Sequence, residues 1–266
     1  MSAQSFFLDP TDFNTASAAW TDAVSKEDSL SPYFLNWPNT FIDPTTHPVE
    51  KLQYVTFSVA DMVSLVSTVG VRYIRAQFVL LPAEEGVVRF TVVLCSLDSQ
   101  RGRISAYYAG SKGAMTPAEM PHASTNPGPN GELPIDLVHT WLQDWQTLTD
   151  VSPEMFGTNY GPLQGYIFNL EDFVDPLFPG HLTTGYELRV YLGLHSYNIS
   201  VANKTQPDTT VGLIISVQPI TTTRLPVNYL RNKTASANND GNARDEDNGY
   251  YDLSNPNPPG VGVAAY

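Results

Sequence analysis

Apolar and polar residues alternate in two stretches of the chain, Ile74–Leu80 and Leu188–Leu194. Every second side chain in each stretch is apolar, which predicts a β-strand with one buried face. A second strand is predicted after each of them, at Arg89–Leu97 and at Val211–Val217. The pattern therefore predicts two hairpins, one in each half of the chain.

The segments that connect the two strands of each hairpin differ. Pro82–Gly86 is short and contains both proline and glycine, which predicts a tight turn in the first hairpin. Ser196–Thr210 is longer and polar and contains Pro207, so it predicts an extended loop in the second hairpin.

A similar stretch precedes each hairpin, at Val55–Val63 in the first half and at Tyr166–Val174 in the second. Each stretch reads as a short strand that runs directly into a helix. A side chain that can cap the helix, and an acidic residue three positions later, favour that boundary. These residues are Ser58 and Asp61 in the first stretch, and Asn169 and Asp172 in the second.

An amphipathic helix is predicted ahead of each of these stretches. Asp9-Pro10 opens the first helix, with proline at the first helical position, and the second helix begins near Pro134. Apolar residues recur at three- and four-residue spacing in both helices. They are Phe13, Ala16, Trp20 and Val24 in the first helix, and Leu137, Val138, Trp141, Leu142, Trp145 and Leu148 in the second.

Proline-rich segments close both halves of the chain. Asn126–Gly131 and Asn255–Gly260 share the pattern N-P-x-P-x-G, in which proline excludes a helix interior or a central strand. Four matches in the same order predict a tandem duplication, with an α+β fold of two similar lobes at residues 1–131 and 132–266. Each lobe is expected to combine a helix, a strand-helix unit, antiparallel strands and an extended proline-rich tail.

Each half resembles a group of uncharacterised small α+β proteins from Bacteroidetes bacteria. The shared features are an N-terminal helix, the helix entry at Phe57–Asp61, the strand Val71–Phe78, an apolar strand that ends at Leu97-Asp98, and a tail like Asn255–Gly260. The tails of that group often carry cysteines near the prolines, and this chain has none there. The resemblance implies the same domain plan for each half and implies no activity or active site.

The charge balance limits the classes of partner. The chain has 14 Lys and Arg residues against 27 Asp and Glu residues, a net charge of −13, and no two basic residues are adjacent. Nucleic acids and anionic membranes are bound by basic surfaces, so we expect neither as a partner. Charged residues make up only 15% of the chain. Electrostatic repulsion between molecules is then weak, which favours association.

The N-terminal residues bear on localisation. Met1–Pro10 lacks the basic and apolar regions of a secretory signal peptide, and no apolar run reaches the roughly 18 residues of a membrane span. The sequence therefore predicts a cytoplasmic protein or a component of a virion or particle, not secreted through a Sec signal.

No residue pattern indicates an enzyme or a metal centre. The histidines lack ligand spacing, and neither a nucleophile elbow nor a phosphate loop occurs. Cys95, the one cysteine, lies in an apolar run and is predicted to be a small buried residue. The acidic run 238–249 departs from the EF-hand register, so a solvated loop is favoured over a weak calcium site. We therefore expect no catalytic residue, no metal and no cofactor.

Aromatic and proline residues near the C-terminus form the predicted interaction segment. They are Tyr250, Tyr251, Leu253, Pro256, Pro258 and Pro259. A proline-rich segment loses little conformational entropy when it docks in an extended form. The segment can dock on its own chain or on another subunit, and the sequence leaves both possibilities open.

The sequence favours a non-enzymatic structural or assembly protein, a subunit of a particle, a filament or a phage-associated structure. Its partners are then other copies of itself or other protein subunits, contacted through the tails. One alternative is a viral capsid protein with a jelly-roll sandwich, which the many β-type segments suit. Another is a module that binds a small ligand or a glycan through exposed Trp37, Trp141 or Trp145. An enzyme is the remaining alternative.

Overall fold

The fold is described from a computed structural model. It describes residues 6–26, 28–36, 50–82, 86–113, 135–158, 161–177, 186–201, 204–219 and 255–256. Within these ranges the protein is a mixed α+β structure with antiparallel sheets, which confirms the predicted fold class. The first proline-rich segment, 126–131, and the acidic run, 238–249, lie outside them.

The helices and strands occur in nearly the same order in both halves. The first half contains β1 (Phe6–Leu8), α1 (Pro10–Val24), a 3-10 helix (Ser31–Phe34), β2 (Leu35–Asn36), β3 (Glu50–Lys51), β4 (Tyr54–Ser58), α2 (Val59–Val66), β5 (Tyr73–Pro82), β6 (Val88–Leu97), β7 (Tyr107–Ala109) and β8 (Ser111–Gly113). The second half contains α3 (Ile135–Thr147), a 3-10 helix (Pro153–Phe156), β9 (Gly157–Thr158), β10 (Gly161–Pro162), β11 (Gly165–Asn169), α4 (Leu170–Leu177), β12 (Tyr186–Val201), β13 (Lys204–Pro219) and β14 (Asn255–Pro256).

Two helices begin at the predicted capping residues, Asp9 and Ser58. The carboxylate of Asp9 accepts hydrogen bonds from the backbone N–H of Thr11 at 2.7 Å and of Asp12 at 2.9 Å, and Pro10 is the first helical residue. Ser58 caps α2 by accepting a hydrogen bond from the backbone N–H of Asp61 at 3.2 Å. Both caps satisfy N–H groups that a helix leaves unpaired in its first turn.

Two larger sheets contain most of the described strands. The strand order is β1-β7-β6-β5-β11-β14 in the six-stranded sheet and β13-β12-β4-β8 in the four-stranded sheet. Short ribbons join β2 to β3 and β9 to β10. Every described strand pair is antiparallel.

Each half of the chain contributes a strand to the sheet of the other half. β4 pairs with β12, so that Phe57 lies opposite Leu188. β11 pairs with β5, so that Phe168 lies opposite Ile74. The short strand that precedes each hairpin therefore extends the hairpin of the other half rather than its own.

One buried core lies between the two sheets and includes residues from both halves. From the six-stranded sheet it contains Ile74, Phe78, Phe90, Val92 and Phe168, and from the four-stranded sheet Val55, Phe57, Leu188, Leu192 and Leu213. Helix α1 covers the outer face of the six-stranded sheet, and α3 covers the outer face of the four-stranded sheet. The arrangement is thus a two-sheet sandwich with a helix on each outer face.

The second hairpin differs from its prediction. β12 continues to Val201 and β13 begins at Lys204, so the predicted loop Ser196–Thr210 is wrong and most of it is paired strand. Pro207 lies within β13, opposite Asn198. In the described part of the chain β13 is an edge strand, and proline is tolerated at an edge because its missing N–H removes no ladder hydrogen bond.

The C-terminal strand β14 occupies the same place on β11 as β8 does on β4. Asn255 lies opposite Ile167, and Ser111 lies opposite Thr56. By its position in the sheet, Asn255 corresponds to Ser111, whereas the sequence pattern aligned it with Asn126. The two alignments differ because the N-P-x-P-x-G pattern compares residue types only. Strand pairing compares the positions of residues in the sheet.

Candidate functional site

The predicted interaction segment is described at one of its six residues. Pro256 lies in β14, where it is paired with Tyr166 of β11 within the same chain. Tyr250, Tyr251, Leu253, Pro258 and Pro259 lie outside the described residues. The described part of the segment therefore adds an edge strand to the sheet of its own chain.

Reciprocal tryptophan hydrogen bonds join the two halves. Trp20 of α1 donates its Nε1–H to the carbonyl oxygen of Leu163 at 2.9 Å, and Trp145 of α3 donates to that of Leu52 at 2.8 Å. Both indole rings are fully buried. Each helix of one half is thus connected to the strand-entry segment of the other half.

The glutamine that follows each of these leucines takes part in the same reciprocal pattern. The carbonyl oxygen of Gln53 accepts from the N–H of Leu192 at 3.0 Å, and that of Gln164 accepts from the N–H of Phe78 at 2.8 Å. Both glutamines are buried. These hydrogen bonds cross between the halves and are buried from water. They therefore fix the register of the exchanged strands.

A cluster of aromatic rings lies where the halves join, formed by Trp20, Phe34, Phe78, Phe90, Trp145 and Phe156. Phe34 and Phe156 stack with ring centroids 5.9 Å apart and planes 17° apart. Trp20 meets Phe156 edge-on at 4.9 Å, and Phe34 meets Trp145 at 5.4 Å. This junction was not predicted, although Ser-Pro precedes a Phe within four positions in both halves, at Ser31–Phe34 and Ser152–Phe156.

The tryptophans considered for ligand binding have different surroundings. Trp145 is fully buried, and Trp141 is partly buried and stacks on His195 with ring centroids 3.6 Å apart. Trp37 lies outside the described residues. The ring of Trp145 is therefore not exposed for stacking on a sugar, and one face of the Trp141 ring is covered by His195.

Cys95 lies on the outer face of the six-stranded sheet and is fully buried, as predicted. Burial raises the pKa of its thiol to about 11, and the nearby guanidinium groups of Arg75 and Arg103 only partly oppose that rise. The thiol is therefore protonated at neutral pH, which does not suit a nucleophile.

Lys51 lies at the junction of the halves. Its Nζ donates to the carbonyl oxygen of Leu148 at 2.8 Å and lies 4.9 Å from the ring centroid of Trp145. Burial lowers the pKa of its ammonium group to about 8. The contacts join the first half to α3 of the second half and so serve the same interface as the tryptophans.

Two absences concern the described residues only. No group of three or more His, Cys, Asp or Glu side chains there comes together in a way that could hold a metal ion. None of the helices described combines the length and the apolar character that crossing a bilayer requires.

The candidate site is therefore the junction of the halves, which consists of the exchanged strands β4 and β11 and the hydrogen bonds of Trp20 and Trp145. No family model, no curated protein and no solved structure matches the chain.

Proposed function

We propose that the protein is an internally duplicated, non-enzymatic structural protein that acts as a subunit of a particle, a filament or a phage-associated assembly. The duplicated units are residues 1–131 and 132–266, each of the α+β plan that the small Bacteroidetes proteins suggest. Its partners are other copies of itself or other protein subunits. The contacts are made by the edges of its sheets and by its C-terminal segment.

The observation that supports this proposal is the reciprocal exchange of β4 and β11. In a symmetric dimer, the same contacts are made twice across one interface. Here the hydrogen bonds from Trp20 to Leu163 and from Trp145 to Leu52 repeat one contact twice within a single chain. Each half of the chain adds a strand to the sheet of the other half. We expect that the same kind of strand pairing can also join two separate chains.

The edge strands offer surfaces for such contacts. In the described part of the chain, the 16-residue strand β13 lies at one edge of the four-stranded sheet, and the three-residue strand β1 lies at one edge of the other. Edge strands present backbone N–H and C=O groups that can pair with a strand from another molecule. The pairing of β14 with β11 illustrates this mode of contact within the chain.

The test is to measure mass in solution over a range of protein concentrations, together with negative-stain microscopy. We expect oligomers or regular particles. Deletion of residues 257–266, which follow β14, is expected to lower the oligomeric mass. The control Val69→Ser changes a side chain that is 95% exposed between α2 and β5 and is expected to leave the mass unchanged. A strictly monomeric protein at high concentration, with no partner in pull-downs, contradicts the proposal.

A capsid protein is the second candidate, favoured by one observation. Two antiparallel sheets enclose a single core, which is the general architecture of β-sandwich capsid domains. The strand order of this protein differs from that of a simple jelly roll. The hairpins β5–β6 and β12–β13 lie in different sheets, and each is extended by a strand from the other half of the chain. Closed shells in the micrographs, rather than filaments or small oligomers, select this candidate.

A further inference from the structure

Arg75 of β5 is a buried cation on the outer face of the six-stranded sheet. It is only 3% exposed, and its Nε has no hydrogen-bond acceptor among the described residues. Among these residues, no carboxylate lies within ion-pair distance of its guanidinium group. A buried charge without a partner destabilises the folded state unless something compensates it.

The second half shows how an equivalent arginine is compensated. Arg189 of β12 pairs with the exchanged strand β4 at Thr56, as Arg75 pairs with β11 at Ile167. The Nε of Arg189 lies 2.8 Å from Oε1 of Glu187, two residues earlier on the same face. The residue two positions before Arg75 is Tyr73, which supplies no carboxylate.

A second guanidinium group lies on the same face as Arg75. Leu97 pairs with Tyr73 on one side and bridges to Arg103 on the other, so these three side chains share the outer face. Arg103 lies over the ring of Tyr107 at 4.4 Å and donates from Nη1 to the carbonyl oxygen of Ser105. Its Nε also lacks an acceptor among the described residues.

Cys95 lies between the two arginines and does not neutralise them. It is paired with Arg75 in the sheet, and both guanidinium groups act on its thiol. Because burial keeps that thiol protonated at neutral pH, it contributes no negative charge. Among the described residues, neither Arg75 nor Arg103 forms an ion pair with a carboxylate. A third guanidinium group, that of Arg101, lies 5.9 Å from the ring centroid of Tyr73, so positive charge is concentrated on this part of the face.

We propose that Arg75 and Arg103 form a binding site for a carboxylate, which the second half supplies internally as Glu187. The comparison rests on the proposed duplication, but the site does not depend on assembly. Arginine is suited to this ligand because its planar fork of N–H donors matches the two oxygens of a carboxylate. The carboxylate can belong to a small molecule or to an acidic side chain of another copy.

The experiment measures thermal unfolding of the full chain in increasing sodium acetate, against sodium chloride at equal ionic strength. Acetate is expected to raise the midpoint by about 2–4 °C beyond chloride, as ligand binding to the folded state does. Arg75→Met removes the charge but retains the aliphatic bulk, and it is expected to abolish the acetate response. Arg189→Met is the matched control and is expected to retain it.

Tyr73→Glu is the second variant, because it places a carboxylate where the second half has Glu187. It is expected to raise the midpoint in chloride and to remove the response to acetate. If Arg75→Met does not fold, this variant carries the test. An acetate response in the wild type no larger than that to chloride overturns the proposal, as does an equal response in Arg75→Met or Tyr73→Glu.

Repeating the titration at low and high protein concentration distinguishes the two sources of the carboxylate. A response that is independent of protein concentration supports a small-molecule ligand. A response that shrinks at high concentration, together with a lower mass for Arg75→Met, supports an acidic side chain of another copy. Because the acetate response is read on a monomer as well as on an oligomer, its failure is distinguishable from failure of the assembly proposal.

Discussion

Arg75 and Arg189 occupy equivalent places in the two sheets, and their surroundings differ. Arg189 has Glu187 at 2.8 Å and lies over the ring of Tyr54 at 4.5 Å. Burial opposes its charge, but neighbouring Tyr191, Tyr54 and Glu187 together raise the pKa of Arg189 above its ordinary value. Arg75 forms no ion pair with a carboxylate among the described residues. The backbone plan is therefore shared, while the charge balance on the outer faces is not.

The first residues of the two exchanged strands differ in a similar way. β4 begins with Tyr54, whose ring packs against that of Tyr191 at 5.3 Å on the outer face. β11 begins with Gly165, where an added Cβ would lie 2.0 Å from the carbonyl oxygen of Ala76. The indole hydrogen bonds of Trp20 and Trp145 are nearly equal in length, at 2.9 and 2.8 Å. The two halves thus share these hydrogen bonds, whereas the contacts at the start of each exchanged strand differ.

The largest effect is expected from the tryptophans at the junction. Trp20→Ala and Trp145→Ala should each lower the free energy of unfolding by about 3–5 kcal/mol, because each removes a fully buried ring. The variants Trp20→Phe and Trp145→Phe retain a ring but leave a buried carbonyl oxygen without its donor, at about 1–3 kcal/mol. Urea denaturation measures all four. A large loss at one tryptophan and a negligible loss at the other contradicts the equivalence of the halves.

The next effect concerns Gly165. Gly165→Ala should cost about 3 kcal/mol or more, because the added Cβ meets the backbone of Ala76 and because the φ angle is +139°. Gly70→Ala is the matched control, since Gly70 also has a positive φ, +87°, but open space around it. It should cost about 1–2 kcal/mol from the backbone conformation alone. Equal losses for the two variants would show that β11 does not approach β5 as closely as described.

A smaller effect is expected at the compensated arginine. Glu187→Gln should lower the free energy of unfolding by about 1–3 kcal/mol, because it leaves the charge of Arg189 with a neutral partner in a buried place. Glu154→Gln, at an exposed position, should change it by less than about 0.5 kcal/mol. Chemical denaturation at neutral pH compares them, and a stability of Glu187→Gln equal to that of the wild type argues against a role for this ion pair.

The smallest effect is the pH dependence that Lys51 contributes. Its pKa is lowered from 10.5 to about 8 by burial, so the folded protein releases this proton more easily than the unfolded chain. Between about pH 8 and 10.5 Lys51 is more protonated in the unfolded chain than in the folded protein, so the contribution of Lys51 to the free energy of unfolding rises with pH. Solvent screening keeps the contribution below about 1 kcal/mol. Wild type and Lys51→Met are compared by denaturation across this range, and a difference that falls with pH contradicts the assignment.

Local features of the fold could be predicted from the sequence because neighbouring residues determine them. The cap at Asp9, the cap at Ser58 and the alternating strands at Ile74–Leu80 and Leu188–Leu194 all follow from short-range patterns. The exchange of strands could not be predicted, since alternation shows that a strand has a buried face and not which strand lies beside it.

The remaining differences also have physical reasons. Pro207 indicated a loop because a proline in a central strand breaks the ladder, but β13 is an edge strand in the described structure. The contrast between Tyr73 and Glu187 becomes meaningful only when both are placed two residues before a buried arginine on the same face. Of the predicted interaction segment, Pro256 is placed on β11, and the contacts of the other five residues stay a prediction.

Because the two halves exchange strands, they are expected to unfold as one unit. Hydrogen exchange of the full chain, followed by mass spectrometry in increasing urea, tests it most directly. The account predicts that β4 loses protection together with β12, and β11 together with β5, all at the same urea concentration. If the strands of residues 1–131 lose protection at one urea concentration and those of 132–266 at another, the halves are independent domains and the account is wrong.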